Sequence, residues 1–472
     1  MNKQAMKQLT LPALFALMFS SMMGSGVFDI PQNIAHKAGV AAILVSWGIT
    51  AVGMFALGFA FVYLINKRPD VESGIYGYAK HGFGDFAGFN AAWGYWVNAV
   101  LGNASYLIYL FATLGQFAIF RFFGSGDTWY ALLCQSIINW FVYFLITKGI
   151  KEAAVINTVI SIVKIAALVI LIILFIYGFK ISVFVADFHI QRDISFIDQV
   201  RSTMLVTVWD FLGIEAACIY ASRAKNIKDV AKATIWGLAL VLLIDIAMSV
   251  LPLGIVEQPT LASMSTPSTA GVIAYMFHNN AIYGYLLKSA IIISVFGALL
   301  AWMMLATNII FHSAEDKTMP KIFAKLNHKL VPQNALLASS IALQVFITVA
   351  YFTNSVYLQV IQLATSMILV PYGFSALFAF KLMIKDGIIN KLEFLKGLIA
   401  VIYCIWLVYA GGINYLFLST ILYALGFILY YIARREQSLK IFTHTYEFVL
   451  CIMLFVVAIL CGILWYLGIV TM

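Results

Sequence analysis

Charge is what this sequence most lacks. Of its 472 residues only 10% are Asp, Glu, Lys or Arg, while 63% are hydrophobic and 15% aromatic. Soluble domains carry about 25% charged residues, so this balance, with a mean hydropathy of +0.96, excludes a water-soluble globular chain. Cysteine is sparse as well. Cys134, Cys218, Cys404, Cys451 and Cys461 include no C-x-x-C pair, so neither a disulfide framework nor a metal site is expected. The sequence contains no H-E-x-x-H, no G-x-S-x-G and no pair of histidines within one apolar run; His36, His81, His189, His278, His312, His328 and His444 scatter through loops and run ends. An enzyme is therefore not expected, and no cofactor. The alternation that marks a transmembrane β-barrel is missing too, since runs such as 157–178 and 237–256 are apolar on every face.

What is present is a succession of long apolar runs. Crossing a hydrocarbon core of roughly 30 Å takes about 20 apolar residues, and in lipid the backbone must satisfy its own hydrogen bonds. The fold class is therefore all-α integral membrane. Thirteen spans are predicted, near 11–35, 41–65, 86–120, 130–147, 153–178, 199–221, 229–256, 282–313, 334–353, 356–382, 395–411, 413–433 and 446–469, with twelve as the alternative count. The polar stretch 258–280 is predicted as a loop with room for a short interfacial helix.

The few charges orient these spans. Lys67/Arg68, Arg223/Lys225/Lys228/Lys232, Lys317/Lys321/Lys325/Lys329, Lys381/Lys385/Lys391/Lys396 and Arg434/Arg435/Lys440 fall at every second junction, which places the N-terminus and these loops on the cytoplasmic side of a bacterial inner membrane. The net charge of +9 thus reflects topology, and nucleic-acid binding is not needed to explain it. The start MNKQAMKQLT and its apolar run superficially match a signal peptide, but no A-x-A-like cleavage site follows, and span 1 is expected to be retained.

Glycine marks where helices would open. Met23-Gly24-Ser25-Gly26-Val27-Phe28 lies half way through span 1; two glycines weaken a helix by about 1 kcal/mol each and let the backbone approach a ligand. Two readings stand: a broken helix at a midplane site, or a small-residue packing face. Pro31 two turns on and the Ser25 hydroxyl favour the first. Span 6 carries Trp209-Asp210-Phe211-Leu212-Gly213-Ile214-Glu215-Ala216-Ala217, a glycine and two acids at lipid depth. A carboxylate there costs at least about 2.5 kcal/mol if lipid-exposed, so it normally faces a cavity or a partner.

These residues carry a resemblance. Gly24 to Phe28, Pro31-Gln32-Asn33, Gly88-Phe89-Asn90 through Gly102-Asn103, and Trp209 to Glu215 resemble the bacterial basic amino acid and polyamine antiporters of the amino acid, polyamine and organocation superfamily. Ala221-Ser222-Arg223-Ala224-Lys225-Asn226 with Lys228-Asp229-Val230, and Ala314-Glu315-Asp316-Lys317 with Pro320-Lys321, are similar to the same family's inside loops. The likeness runs from residue 10 to about 440 and leans to the arginine/ornithine branch. It implies a 5+5 inverted-repeat transport core over 1–383, with one repeat about 10–178 and the other about 199–383, discontinuous spans 1 and 6, and peripheral helices over 384–472. The resemblance further implies that Ser25 and Gly26 meet a substrate α-carboxylate, that span 6 near Trp209 and Leu212 meets the α-amino group, and that Asn103 bonds the distal side chain. Trp209 and Trp302 would cover a cationic group, with Tyr95 in support. Glu215 matches a proton-responsive gate. Lys164 matches a lysine that stands, in related transporters, where others hold a structural sodium.

Two acids depart from the family's pattern. Asp29 either caps the outer half-helix or attracts cations; Asp210 pairs with a cationic substrate, with Lys164, or with neither. Asp245 is read as a buried hydrogen-bonded acid or as a relay, and Phe374 as an outer lid or core. Trp209, Trp302 and Asn103 each have a plain packing reading as well. The expected function is secondary transport of amino acids, most specifically exchange of cationic ones. Proton-coupled symport is the alternative, and a channel or enzyme is remote. Expected partners are small-molecule amino acids, membrane lipid and a second copy as a homodimer, with no nucleic acid.

Overall fold

The computed structural model describes residues 9–71, 74–148, 150–189, 194–216, 221, 224–278, 281–353, 357–385 and 391–467; Ala217, Cys218, Ser222 and Arg223, named above, lie outside them. Over these residues the chain is helical, with a lone bridge joining Leu9 to Ala224. Apolar runs become helices because only internal hydrogen bonding satisfies the backbone in lipid. The chain begins with α1 (Leu11–Met22) and α2 (Gly26–Ala35), then α3 (Val40–Lys67), a short α4 (Ile75–Phe83) and α5 (Asp85–Gly115). It continues through α6 (Trp129–Lys148), α7 (Ile150–Gly178), a short α8 (Ile181–Ala186), α9 (Phe196–Trp209) and α10 (Ile227–Val250). After the short α11 (Gln258–Ala262) and α12 (Ser268–Met276) come α13 (Ala281–Glu315), α14 (Gln333–Thr353), α15 (Tyr357–Lys385), α16 (Lys391–Ala410), α17 (Ile413–Glu436) and α18 (Thr445–Tyr466).

A helix lies in each of the thirteen expected stretches. Among the described residues, ten helices are long and apolar enough to cross a membrane, and eleven if α1 and α2 form one span bent by 43°. The fifth and sixth stretches fall short of that measure. Within α7 the apolar helix Ile162–Gly178 is shorter, and α9 stops at Trp209 where the sixth stretch breaks. The loop at 258–280 contains two short helices rather than one, and α4 occupies a stretch that sequence reasoning leaves as loop.

α5 is the central strut, with 94% of its apolar stretch enclosed by neighbours, chiefly α13 and α15. Small and hydroxylated residues let α3 approach α9 and α10 closely. Thr50 and Thr207 hydroxyls meet at 2.8 Å, Thr203 donates to Ser46 at 2.7 Å, and the Trp47 indole donates to Ser249 at 2.8 Å. Such rungs satisfy polar groups where no water reaches, and fix the register of adjoining helices.

The two ends of the bundle are tied by separate sets of contacts. At one end the basic loops converge: Lys80 donates to the Asp316 carbonyl, Lys381 to the Gly82 carbonyl, Lys329 to the Lys148 carbonyl, and the Lys225 amide to the Leu9 carbonyl. At the other end Gln116 donates to Ser265 and Thr266, Gln258 to the Ala35 carbonyl, and the Gln258 amide to Asp187.

The C-terminal helices are fastened at the basic end by one carboxylate. Glu447 Oε2 accepts from the Thr443 amide and hydroxyl and the His444 amide at 2.7–3.1 Å, while Oε1 accepts from the Phe86 amide at the start of α5. Arg434 reaches Asp85 at 2.9 Å beside it. Glu447 is fully buried, and truncating a buried charged acceptor strands its donors at about 1.5–3 kcal/mol. Glu447→Ala should therefore lower the thermal unfolding midpoint of the purified protein and speed hydrogen exchange in α18. No change in either would mean that this junction does not hold the C-terminal helices.

Candidate functional site

Two helix breaks press against each other in the centre of the bundle. The first separates α1 from α2. The Met23 amide still bonds the Phe19 carbonyl, but the Gly24 amide turns to Met22, and α2 starts afresh at Gly26 with Ser25 before it. The first amides of α2 have no partner inside the helix, as at any helix N-terminus. In the second break α9 ends at Trp209, and the chain goes on through tight i to i−3 turns: Phe211 to Val208, Leu212 to Trp209, Ile214 to Phe211 and Ala216 to Gly213. The carbonyls of Asp210 and Leu212 receive none of these bonds.

Glycine permits the contact from both sides. Gly213 has φ +110°, a conformation nearly closed to other residues. A Cβ built on it would lie 2.7 Å from the Ser21 carbonyl group, and Ser21 Oγ donates to the Gly213 carbonyl at 3.1 Å. Reciprocally, a Cβ on Gly26 would fall 1.8 Å from Asp210 Oδ1 and 2.8 Å from Trp209. The small-residue reading of span 1 and the broken-helix reading are therefore both true of it.

Around this contact stand the aromatic residues singled out above. Trp209 is buried against Tyr106, with ring centroids 6.0 Å apart, and its far edge faces Gly102. Trp302 is buried and stacked on Tyr95 at 6.2 Å. Leu212 is buried in the second break. Ser25 is fully buried, its hydroxyl 2.8 Å from that of Tyr357. Asn103 is fully buried, and neither side-chain polar atom has a hydrogen-bond partner among the described residues. An unsatisfied buried amide costs about 1–3 kcal/mol.

The charged groups separate into satisfied and unsatisfied. Lys164 of α7 is buried and donates to the Met23 carbonyl at the first break. Glu215 Oε2 accepts from the Tyr372 hydroxyl at 2.7 Å and from the Gly213 amide at 3.2 Å, and Tyr95 lies near enough to interact with the same carboxylate. Asp29, in the first turn of α2, accepts from the Ser268 amide at 2.7 Å and the Thr266 hydroxyl at 2.9 Å, fastening the far-end loop onto α2. Among the described residues Asp210, against the α2 N-terminus, keeps Oδ2 without a partner, and Asp245 of α10 keeps both oxygens so. The hydrogen-bonded reading of Asp245 finds no bond among these residues. Among the described residues none of these four acids forms an ion pair with Lys, Arg or His.

Sequence reasoning misses Tyr106, Tyr357 and Tyr372. Tyrosines are numerous in this chain, and nothing in their spacing marks these three. Phe374 packs on Phe83 of α4 at 5.5 Å, toward the end of the bundle where the basic loops converge. Among the described residues no cluster of His, Cys, Asp and Glu has the form of a metal site.

Comparison with known proteins adds an independent line. Residues 9–416 match the family model described as amino acid permease. A relative from Pseudomonas aeruginosa named arginine/ornithine antiporter is 44% identical over 459 residues, 94% of each chain. One from Chlamydia pneumoniae named arginine/agmatine antiporter is 36% identical over 458 residues, again 94% of each. A solved structure of a Na+-coupled sialic acid symporter in a substrate-bound, outward-open state superposes with a TM-score of 0.53, covering 87% of this chain and 90% of that one at 13% identity. That last likeness concerns the fold alone.

The contact between the breaks is testable without a substrate. Gly213→Ala imposes both a strained backbone and a clash with Ser21, together worth about 1–3 kcal/mol. It should lower the unfolding midpoint in detergent, and an unchanged midpoint would mean that the two breaks are not pressed together.

Proposed function

The chain belongs to the amino acid permease family, and we propose that it exchanges cationic amino acids of the arginine and ornithine type across the bacterial inner membrane by alternating access. The observation that carries this reading is the set of buried acids around the two breaks that have no basic partner among the described residues, beside the Trp209 and Trp302 rings. Isolated carboxylates in a low-dielectric interior are strongly disfavoured unless a cation or a proton joins them, so the site suits a positively charged guest. The names of the relatives point to the same substrates.

In this reading the N-terminus of α2, at Ser25 and Gly26, faces the substrate carboxylate with its unpaired amides and positive dipole. The open carbonyls near Trp209 and Leu212 receive the α-ammonium, and Asn103 bonds the distal group. Trp302, stacked on Tyr95, and Trp209 cover that group through cation–π contact, worth about 0.5–2 kcal/mol with desolvation. Asp210, and Asp29 beyond it, bias the pocket toward cations. Lys164 holds the first break by its bond to Met23, a task a metal cation would otherwise perform. Glu215 is the proton-responsive group, placed where Tyr372 and Gly213 grip its carboxylate. The repeats at about 10–178 and 199–383 rock about the breaks, 384–472 is peripheral, and the basic end faces the cytoplasm with the N-terminus. A homodimer is the proposed assembly.

Proton-coupled symport is the second reading, favoured by Glu215. The two separate in proteoliposomes: efflux of preloaded labelled arginine requires an external amino acid under exchange and proceeds without one under symport. Trp302→Ala and Asn103→Ala should each weaken apparent affinity for arginine about tenfold, the factor set by about 1.4 kcal/mol. Glu215→Gln should flatten the difference in rate between about pH 5 and about pH 7. Unchanged transport in all three variants would remove the proposed pocket.

A further inference from the structure

A crevice of about 210 Å³ lies outside the substrate pocket, against the same central helix. Its deep walls are apolar: Leu101 and Ala104 of α5, Phe346 of α14, Leu363 of α15, and Leu418 and Leu422 of α17. Leu101 and Ala104 bracket Gly102 and Asn103, the residues that back Trp209 and offer the unpartnered amide. One short segment of α5 therefore separates the crevice from the proposed pocket. The other dividing helix, α15, holds Ser25 through Tyr357 and lines the crevice two residues further on.

Polar groups in the lining collect at one end. Thr353 closes α14, while Gln359 and Tyr415 sit in the first turns of α15 and α17, all at the end of the bundle opposite the basic loops. Below them the crevice descends to Phe346, two turns from Thr353, or about 10 Å at 1.5 Å per residue. That depth fits within a single leaflet, half of a hydrocarbon core roughly 30 Å thick.

The crevice is also continuous with the lipid-facing surface. α14 exposes Ile341, Val345, Val349 and Phe352 at helical spacing, and Val349 belongs to the crevice lining as well. A void with such walls does not hold water, which needs two to four polar partners, and an empty one forfeits the close packing on which membrane helices rely.

We propose that this crevice binds one acyl chain of a phospholipid from the leaflet opposite the basic loops, with the glycerol and headgroup region at Thr353, Gln359 and Tyr415. The chain buttresses α5 behind Asn103, and so forms part of the wall that holds the pocket.

The test uses the full chain in liposomes that contain a phosphatidylcholine with a photoactivatable diazirine midway along one chain. After irradiation, labelled peptides are mapped by mass spectrometry. Label should concentrate on Leu101–Ala104 and Leu418–Leu422 above the level on the exposed Ile341–Val345 stripe. Ala350→Trp, which fills the crevice from α14, should cut label at the first two sites roughly tenfold and leave the stripe unchanged, the stripe reporting that the variant is folded and inserted. Label in the wild-type crevice no higher than on the stripe overturns the proposal without recourse to any variant, as does label that Ala350→Trp leaves in place. None of these readings depends on which substrate is carried.

Discussion

Everything at the centre of this protein depends on two interrupted helices meeting at their interruptions. Gly26 lies against Trp209 and Asp210, and Gly213 lies against Ser21, so each break fills the space that the other's missing side chain leaves. A helix broken in lipid would strand peptide groups at several kcal/mol each. Broken against another break, those groups find partners in part: Ser21 takes the Gly213 carbonyl and Lys164 takes the Met23 carbonyl. Among the described residues the carbonyls of Asp210 and Leu212 take no part in the tight turns of the second break, and they lie beside the amides that open α2. In the function proposed above, stability and binding capacity come from the same contact.

The surrounding helices hold that contact from several sides. Hydroxyl rungs between α3 and α9 and between α3 and α10 fix the second break from outside, while Ser25 to Tyr357 and Glu215 to Tyr372 tie both breaks to α15. Single hydrogen bonds of this kind contribute about 0.5–2 kcal/mol in a membrane interior, an amount that a bound ligand can exchange for its own. α15 is thereby in touch with both breaks at once. The loops at the two ends are tied by separate contacts.

How much of this is legible in the sequence follows from what each residue type demands. Gly24, Ser25 and Gly26 stand out because two glycines around a serine weaken a helix in the middle of an apolar run, and Asp210 and Glu215 because acids at lipid depth need a reason. The apolar runs are legible as spans for the same energetic cause. Tyr106, Tyr357 and Tyr372 are not legible, since each matters through a contact far along the chain: the Tyr106 ring on Trp209, the Tyr357 hydroxyl on Ser25 and the Tyr372 hydroxyl on Glu215. α4 is hidden by its polar neighbourhood, which reads as loop, although Tyr76 anchors it to Thr318 and Lys80 to Asp316. Asp245 reads as a satisfied acid because most buried acids are, and only the structure reveals that neither oxygen has a partner among the described residues.

The unpartnered acids also bear on why such a carrier would move only when loaded. Alternating access carries the site through a closed intermediate in which water is excluded and uncompensated charge is most costly. In the exchange proposed above, Asp210 and Asp245, which have no cationic partner among the described residues, leave the closed empty state with the cost of that burial, whereas a bound cation offsets it. A ligand shifts a conformational equilibrium only by its differential affinity for the two states, and here the difference lies in charge compensation inside the closed bundle. A carrier built this way returns readily with another cation and reluctantly with nothing, which is what exchange requires. A proton on the same carboxylates also lowers the barrier, so leakage of empty carriers should be governed by the acids at the breaks rather than by the aromatic groups that recognise the substrate's distal end.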